Sequence, residues 1–159
     1  MEKGQRYIRG VRYGKGGGIA KDDAVAEKGD RKATEQWNEW GQYNLAFRYD
    51  KGEGVTQDYA EAAKWYRKAA EQGNAWAQYN LGNRYSKGEG VTQDYAEAAK
   101  WYRKAAEQGL AESQDSLGVM YATGKGVTQD YDETVKWLSK AGDQGGVQAR
   151  ALIHIGRWR

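Results

Sequence analysis

KGEGVTQDYAEAAKWYRKAAEQG, from Lys51 to Gly73, recurs without a change from Lys87 to Gly109, 36 residues on. A looser copy, TGKGVTQDYDETVKWLSKAGDQG, runs from Thr123 to Gly145 at the same spacing. Self-similarity at a period of roughly 20 to 50 residues marks a stacked repeat architecture, in which each unit buries its apolar face on its neighbours. Within the stretch, Gly52 and Gly54 punctuate a loop, because glycine takes positive φ without steric cost. Asp58 precedes Glu61 by three residues, as Asp94 precedes Glu97 and Asp130 precedes Glu133. That is capping-box spacing: the Asp should accept from a free N–H of the first turn and the Glu should reach back to the cap. Tyr59, Ala62, Ala63, Tyr66, Ala69 and Ala70 then recur at helical spacing, with Trp65 on the same side. The alanine pairs admit a close second helix, and the Trp fills the space they leave. Gly73, Gly109 and Gly145 stop the helix where a left-handed residue is wanted.

Outward from this stretch the same period governs the chain. Residues 38–73 and 74–109 are full repeats that agree at 31 of 36 positions. Their differences are Glu39/Ala75, Gly41/Ala77, Ala46/Gly82, Phe47/Asn83 and Asp50/Ser86. Each opens with a further helix, with Asn74 as an N-cap and Ala77, Leu81 and Tyr85 as a buried stripe. Gly82 lies mid-helix and reads as a close helix–helix contact. Residues 110–145 form a third repeat, with Leu117, Gly118 and Tyr121 in the same places. Residues 1–37 read as a degenerate repeat in register, since Lys15-Gly16-Gly17-Gly18-Ile19 falls on Lys51 to Val55. Gly29 and Asp30 stand there in place of Trp65 and Tyr66, so partial fraying is expected. Residues 146–159 carry Val147, Ala151, Leu152 and Ile155 on one face and should cap the open end. The fold class expected is all-α, an α/α superhelical solenoid.

Charged residues make up 30% of the chain, but 13% is aromatic, too much for a disordered polymer. No apolar run approaches a membrane span, and no secretory leader precedes the repeats. The expectation is therefore a cytoplasmic protein; a trimmed or mature periplasmic form would read the same way. No cysteine is present, which removes disulfides and thiolate metal sites. The net charge of +3 gathers at the ends, through Lys3, Arg6, Arg9, Arg12 and Lys15 and then Arg150, Arg157 and Arg159. No nucleic-acid motif accompanies it, so these read as solvated termini and nucleic acid is not the expected partner.

Catalysis needs converging groups, and none converge in this sequence. The single histidine, His154, aligns with the core positions of Gly82 and Gly118 and reads as structural. The run Gly14 to Gly18 lacks the Lys-Ser/Thr of a phosphate loop and fits the repeat loop instead. Glu61/Lys64 and Lys64/Lys68 read as ordinary solvated faces. No cofactor, metal or catalytic residue is expected.

The 36-residue unit contains A-x-x-x-L-G-x-x-Y, G-x-G-V-x-x-D, A-x-x-W-x-x-x-A-A and a closing Gly. It resembles the Sel1-like repeat, a relative of the tetratricopeptide repeat with a longer loop between its helices. In the second repeat the match is carried by Ala77, Leu81, Gly82, Tyr85, Gly88, Gly90, Val91, Asp94, Ala98, Trp101, Ala105, Ala106 and Gly109. The resemblance implies a concave surface lined by the first helix of each repeat. It also implies protein–protein interaction, often as an adaptor in bacterial signalling, secretion or envelope processes. It implies no reaction. One departure stands out: Trp40 and Trp76 occupy a position where the family commonly has a small or acidic residue. They begin a row that runs Trp40, Asn44, Phe47, then Trp76, Asn80, Asn83, then Glu112, Ser116, Val119. Either these tryptophans pack on the neighbouring repeat or they face the groove, where an indole offers apolar area and an amide can pair with extended backbone. The expected binding residues are Trp40, Asn44, Phe47, Trp76, Asn80 and Asn83, with Arg48 and Arg84 at the edge as a pair able to hold a carboxylate. Two other functions stay open at this point. Some cysteine-rich members of the family are linked to β-lactam binding and hydrolysis, though their paired cysteines are absent here. A regulatory or toxin-neutralising protein could instead dock a large partner through its convex face or basic ends. Near-identical repeats also leave room for a swapped homodimer.

Overall fold

A computed structural model describes residues 38–143. They form six α-helices and no strand: α1 Glu39–Lys51, α2 Tyr59–Glu71, α3 Ala75–Lys87, α4 Tyr95–Glu107, α5 Ala111–Thr123 and α6 Tyr131–Asp143. Three helix pairs repeat in series, an all-α solenoid of helix–turn–helix units. The degenerate N-terminal repeat, the terminal capping helix, His154, Gly145 and the basic ends lie outside the described residues.

The ends of the helices explain why the pattern is so regular. Asp58 accepts from the N–H groups of Ala60 and Glu61 at 3.0 and 3.2 Å. Asp94 does the same for Glu97, and Asp130 for Asp132 and Glu133. The reciprocal half of the capping box is not made. The cap N–H groups of Asp58, Asp94 and Asp130 already donate to the carbonyls of Tyr49, Tyr85 and Tyr121 at 2.9–3.0 Å. Glu61 and Glu133, with no donor to reach back to, accept instead from the indole N–H of Trp65 and Trp137 at 3.2 and 3.0 Å. At the far end, the N–H of Gly73 donates to Ala70 O and that of Asn74 to Ala69 O, and Gly109 and Leu110 repeat both bonds. This is a Schellman closure, which requires the positive φ of 97° and 96° that Gly73 and Gly109 adopt.

The chain divides into two compact units, whose described parts are residues 38–77 with 89–92, and 78–88 with 93–143. In the first, α1 packs along α2 through fully buried Leu45, Ala46, Ala62, Tyr66 and Ala69. Alanine at three of these places is what lets Tyr66 enter the core whole, and its hydroxyl donates to Asp50 Oδ2 at 2.9 Å. Burying a phenol without such an acceptor would cost about 1–3 kcal/mol. Gln57 in the loop donates to Asp50 O at 2.8 Å, and Gln72 donates to Gln42 Oε1 at 2.6 Å. Gly90 belongs to this unit because a Cβ there would lie 2.1 Å from Tyr59 O; only glycine admits so close a backbone.

In the second unit Ala98, Ala99, Tyr102, Ala106, Leu117, Met120 and Trp137 form one core. Gly82 lies beneath the Tyr102 ring and Gly118 beneath Leu138, where a Cβ would come within 2.7 and 2.6 Å. Both are the close helix contacts that the sequence implied. Trp101 and Trp137 are buried, whereas Trp65, in the identical sequence, is only half-buried. Lys64 and Lys68 stand over the Trp65 ring at 5.1 and 4.4 Å, Lys100 and Lys104 over Trp101, and Lys136 and Lys140 over Trp137. The helical faces read as merely solvated thus carry cations on indoles, because lysines one before and three after a helical Trp flank its ring.

Candidate functional site

Asn38 caps α1 by accepting from the N–H groups of Trp40 and Gly41 at 3.0 and 3.1 Å. The cap fixes Trp40 in the first turn, with its indole pointing away from the stripe of Leu45. Trp40 is 41% exposed and Phe47 36%. Between them lies Tyr43, which meets Trp40 edge-on at 5.8 Å and Phe47 at 6.4 Å. Tyr43 also leans on buried Tyr66 at 5.8 Å, so the exposed rings stand on the core through one intermediate ring. Lys51 Nζ sits over Phe47 at 5.8 Å. Tyr43 is absent from the sequence-derived site. Its position three residues after Trp40 and four before Phe47 was the available signal.

On α3 the N–H of Ala77 donates to Asn74 Oδ1 at 2.9 Å, which places Trp76 in the first turn as Trp40 is on α1. Trp76 is 39% exposed. Neither tryptophan is a core residue. Asn44, Asn80 and Asn83 are half-buried. Asn83 Oδ1 accepts the Tyr102 hydroxyl at 2.6 Å, so its acceptor is committed and its amide N–H groups are what it can offer a ligand. On α5, Glu112 and Val119 are exposed and Ser116 half-buried, with the Ser116 hydroxyl turned back onto Glu112 O at 3.0 Å. In every described repeat the row thus opens on an exposed residue, Trp40, Trp76 or Glu112, and continues through a half-buried Asn or Ser.

Arg48 and Arg84 correct the sequence reading. They are 7% and 6% exposed. Each follows the outward position 47 or 83 by one residue, and that step of about 100° carries it into the interior. They are buried residues rather than an exposed edge. Among the described residues no cluster of His, Cys, Asp and Glu could hold a metal ion, and no helix is long and apolar enough to cross a membrane.

These features define a class: a helical repeat scaffold with an aromatic outer row. The family model of the Sel1 repeat matches residues 41–74, 77–110 and 111–146. That is well over half of the chain, and the protein belongs to the Sel1 repeat family, whose members are generally non-catalytic scaffolds that bind other proteins. Among solved structures, the chain is similar to a protective antigen of uropathogenic Escherichia coli strains that displays an SLR fold. The two are 41% identical with a TM-score of 0.91, over 95% of this chain and 32% of the antigen. A Sel1 repeat protein from Oxalobacter formigenes is 37% identical, with a TM-score of 0.83, over 94% of this chain and 58% of the other. Cysteine-rich protein B of Helicobacter pylori is 27% identical, with a TM-score of 0.66, over 86% of this chain and 98% of the other. The chain thus spans about a third of the antigen and somewhat over half of the Oxalobacter protein. No curated protein sequence matches the chain.

Proposed function

We propose that the protein is a non-enzymatic adaptor that binds a peptide or protein segment along the outward row of its first helices. The observation that carries this reading is the exposure of Trp40, Phe47 and Trp76 on a chain whose mean hydropathy is −1.01. Indole and phenyl rings held against rigid helices bury large area at little entropic cost when a partner arrives. Tyr43, Asn44 and Asn80 flank them, and the amides of Asn44 and Asn80 are suited to a partner's backbone.

The test compares capture of proteins from the source lysate by the wild type and by Trp40→Ala/Trp76→Ala. Circular dichroism first establishes that the variant folds, as expected for side chains two-fifths exposed. A partner held by the wild type and lost by the folded variant supports the row. A partner held equally by both removes the row as the site.

A further inference from the structure

On the second unit a pocket of about 340 Å3 opens to solvent beside α5. Tyr95 and Tyr102 of α4, Asp115, Val119 and Met120 of α5, and Lys125 of the following loop line it. Ser116 and Val119 belong both to this pocket and to the outward row. The pocket sits where the third repeat departs from the others. Asp115 stands in register with Tyr43 and Tyr79, and Met120 and Thr123 with Arg84 and Lys87. Each is the smaller side chain. Tyr79 packs its ring against Tyr102 at 5.8 Å, and α5 brings no aromatic ring to the matching place.

Asp115 Oδ1 is buried and has no hydrogen-bond partner in the protein. Burial first, and the like charge of Glu112 second, push its carboxyl above the usual range. A buried carboxylate oxygen with an acidic neighbour is answered best by an incoming cation. Lys125 does not serve this purpose, because its ammonium is held over the Tyr95 ring at 5.4 Å. Tyr95, Tyr102, Val119 and Met120 supply apolar wall beside the hydroxyls of Ser86, Ser116 and Thr123, and such apolar wall is the surface along which the methylene stem of a long basic side chain lies well.

We propose that this pocket receives a lysine or arginine side chain of the protein partner, its cationic head on Asp115 and its stem along Tyr95, Tyr102 and Met120. The inference rests on the outward row being the partner-binding face.

Isotope-labelled protein titrated with N-acetyl-arginine methylamide or its lysine counterpart reads the pocket alone by amide shifts. The norleucine and glutamate analogues are the controls. Saturable shifts should centre on Asp115 to Lys125 and on Tyr102, with at least about fivefold tighter binding than norleucine. Asp115→Asn, nearly isosteric, should weaken the basic probes about tenfold, the usual worth of a charge-assisted bond. Asp115→Tyr, which restores the residue of the other repeats, should abolish them. Equal binding of norleucine or glutamate, the same affinity in Asp115→Asn, or no saturable shift at all would each overturn the proposal. Trp40 and Trp76 take no part in this titration, so its failure is distinct from that of the row, which shows only in partner capture.

Discussion

The Tyr102 hydroxyl donates to Asn83 Oδ1 at 2.6 Å, while Tyr66, its counterpart one repeat earlier, donates to Asp50 Oδ2. The helices that carry the two tyrosines are identical in sequence. What differs is the preceding helix: Ala46, Phe47 and Asp50 in one repeat, Gly82, Asn83 and Ser86 in the other. Three of the five differences between the repeats thus surround one phenol.

These three positions should be coupled. Gly82→Ala places a Cβ 2.7 Å from the Tyr102 ring. Overpacking of about 1–3 kcal/mol outweighs the helix-propensity gain of about 1 kcal/mol. Adding Asn83→Phe and Ser86→Asp, which rebuild the first repeat's environment, should recover most of the loss. Urea denaturation of the single and triple variants checks this; independent effects that simply add would refute it.

Loop glycines should rank by backbone proximity. At Gly90 and Gly126 a Cβ would meet Tyr59 O at 2.1 Å and Tyr95 O at 2.3 Å, on a residue that also has positive φ. At Gly73 nothing lies within 4 Å. Gly73→Ala should therefore cost about 1 kcal/mol from φ alone, and Gly90→Ala or Gly126→Ala clearly more. Thermal melts of the three variants give the order.

Alkali should destabilise the protein through Tyr102, whose pKa burial pushes up to about 12. Between the ordinary tyrosine value of about 10 and that value, the unfolded chain loses the proton while the folded one keeps it. Stability is fully present below pH about 10 and falls as pH rises towards 12, by about 2–3 kcal/mol from this group. Chemical denaturation at pH about 9 and about 11.5 should show a shallower fall for Tyr102→Phe than for the wild type.

Asp115 predicts an effect of the same sign in a more acidic range. Its raised pKa, from burial and then Glu112, means that the ionised carboxyl weakens the fold. Stability from this group is present below its unfolded pKa and is lost as pH rises through the folded one. Asp115→Asn should raise Tm at neutral pH and leave it nearly unchanged in acid where both states are protonated. A neutral-pH Tm below that of the wild type would contradict this.

The caps and the glutamates should separate. Asp130→Ala removes the acceptor for two N–H groups and should cost about 1–2 kcal/mol. Glu133→Gln keeps an oxygen for the Trp137 indole and should cost well under 1 kcal/mol. Had Glu133 been part of the cap, the two losses would be similar.

Most of the fold was legible in the repeat because its determinants are local. Glycines at loop and closure, Asp caps and alanine spacing each act within one turn of chain. That Glu61 and Glu133 turn from the caps to the indoles of Trp65 and Trp137 was not legible, since the cap N–H that would have bonded them is taken by a tyrosine carbonyl in the preceding helix. Gln57, Gln93 and Gln129 tie each loop to the end of the helix before it through bonds seven residues apart, a spacing that helical periodicity does not reveal. At the candidate site the row was readable as helical spacing, but not whether its tryptophans were covered. Arg48 and Arg84 looked like edge residues because arginine is usually exposed; their angular position on the helix puts them inside.

By itself the sequence determined the repeat, its period and the helix limits, all consequences of short-range backbone and side-chain preferences. Only the tertiary structure decided what one identical segment does twice. Trp65 is half-buried and Trp101 buried, and Tyr66 and Tyr102 turn to different acceptors. Burial and hydrogen-bond partners belong to the helix packed alongside, not to the residues that repeat.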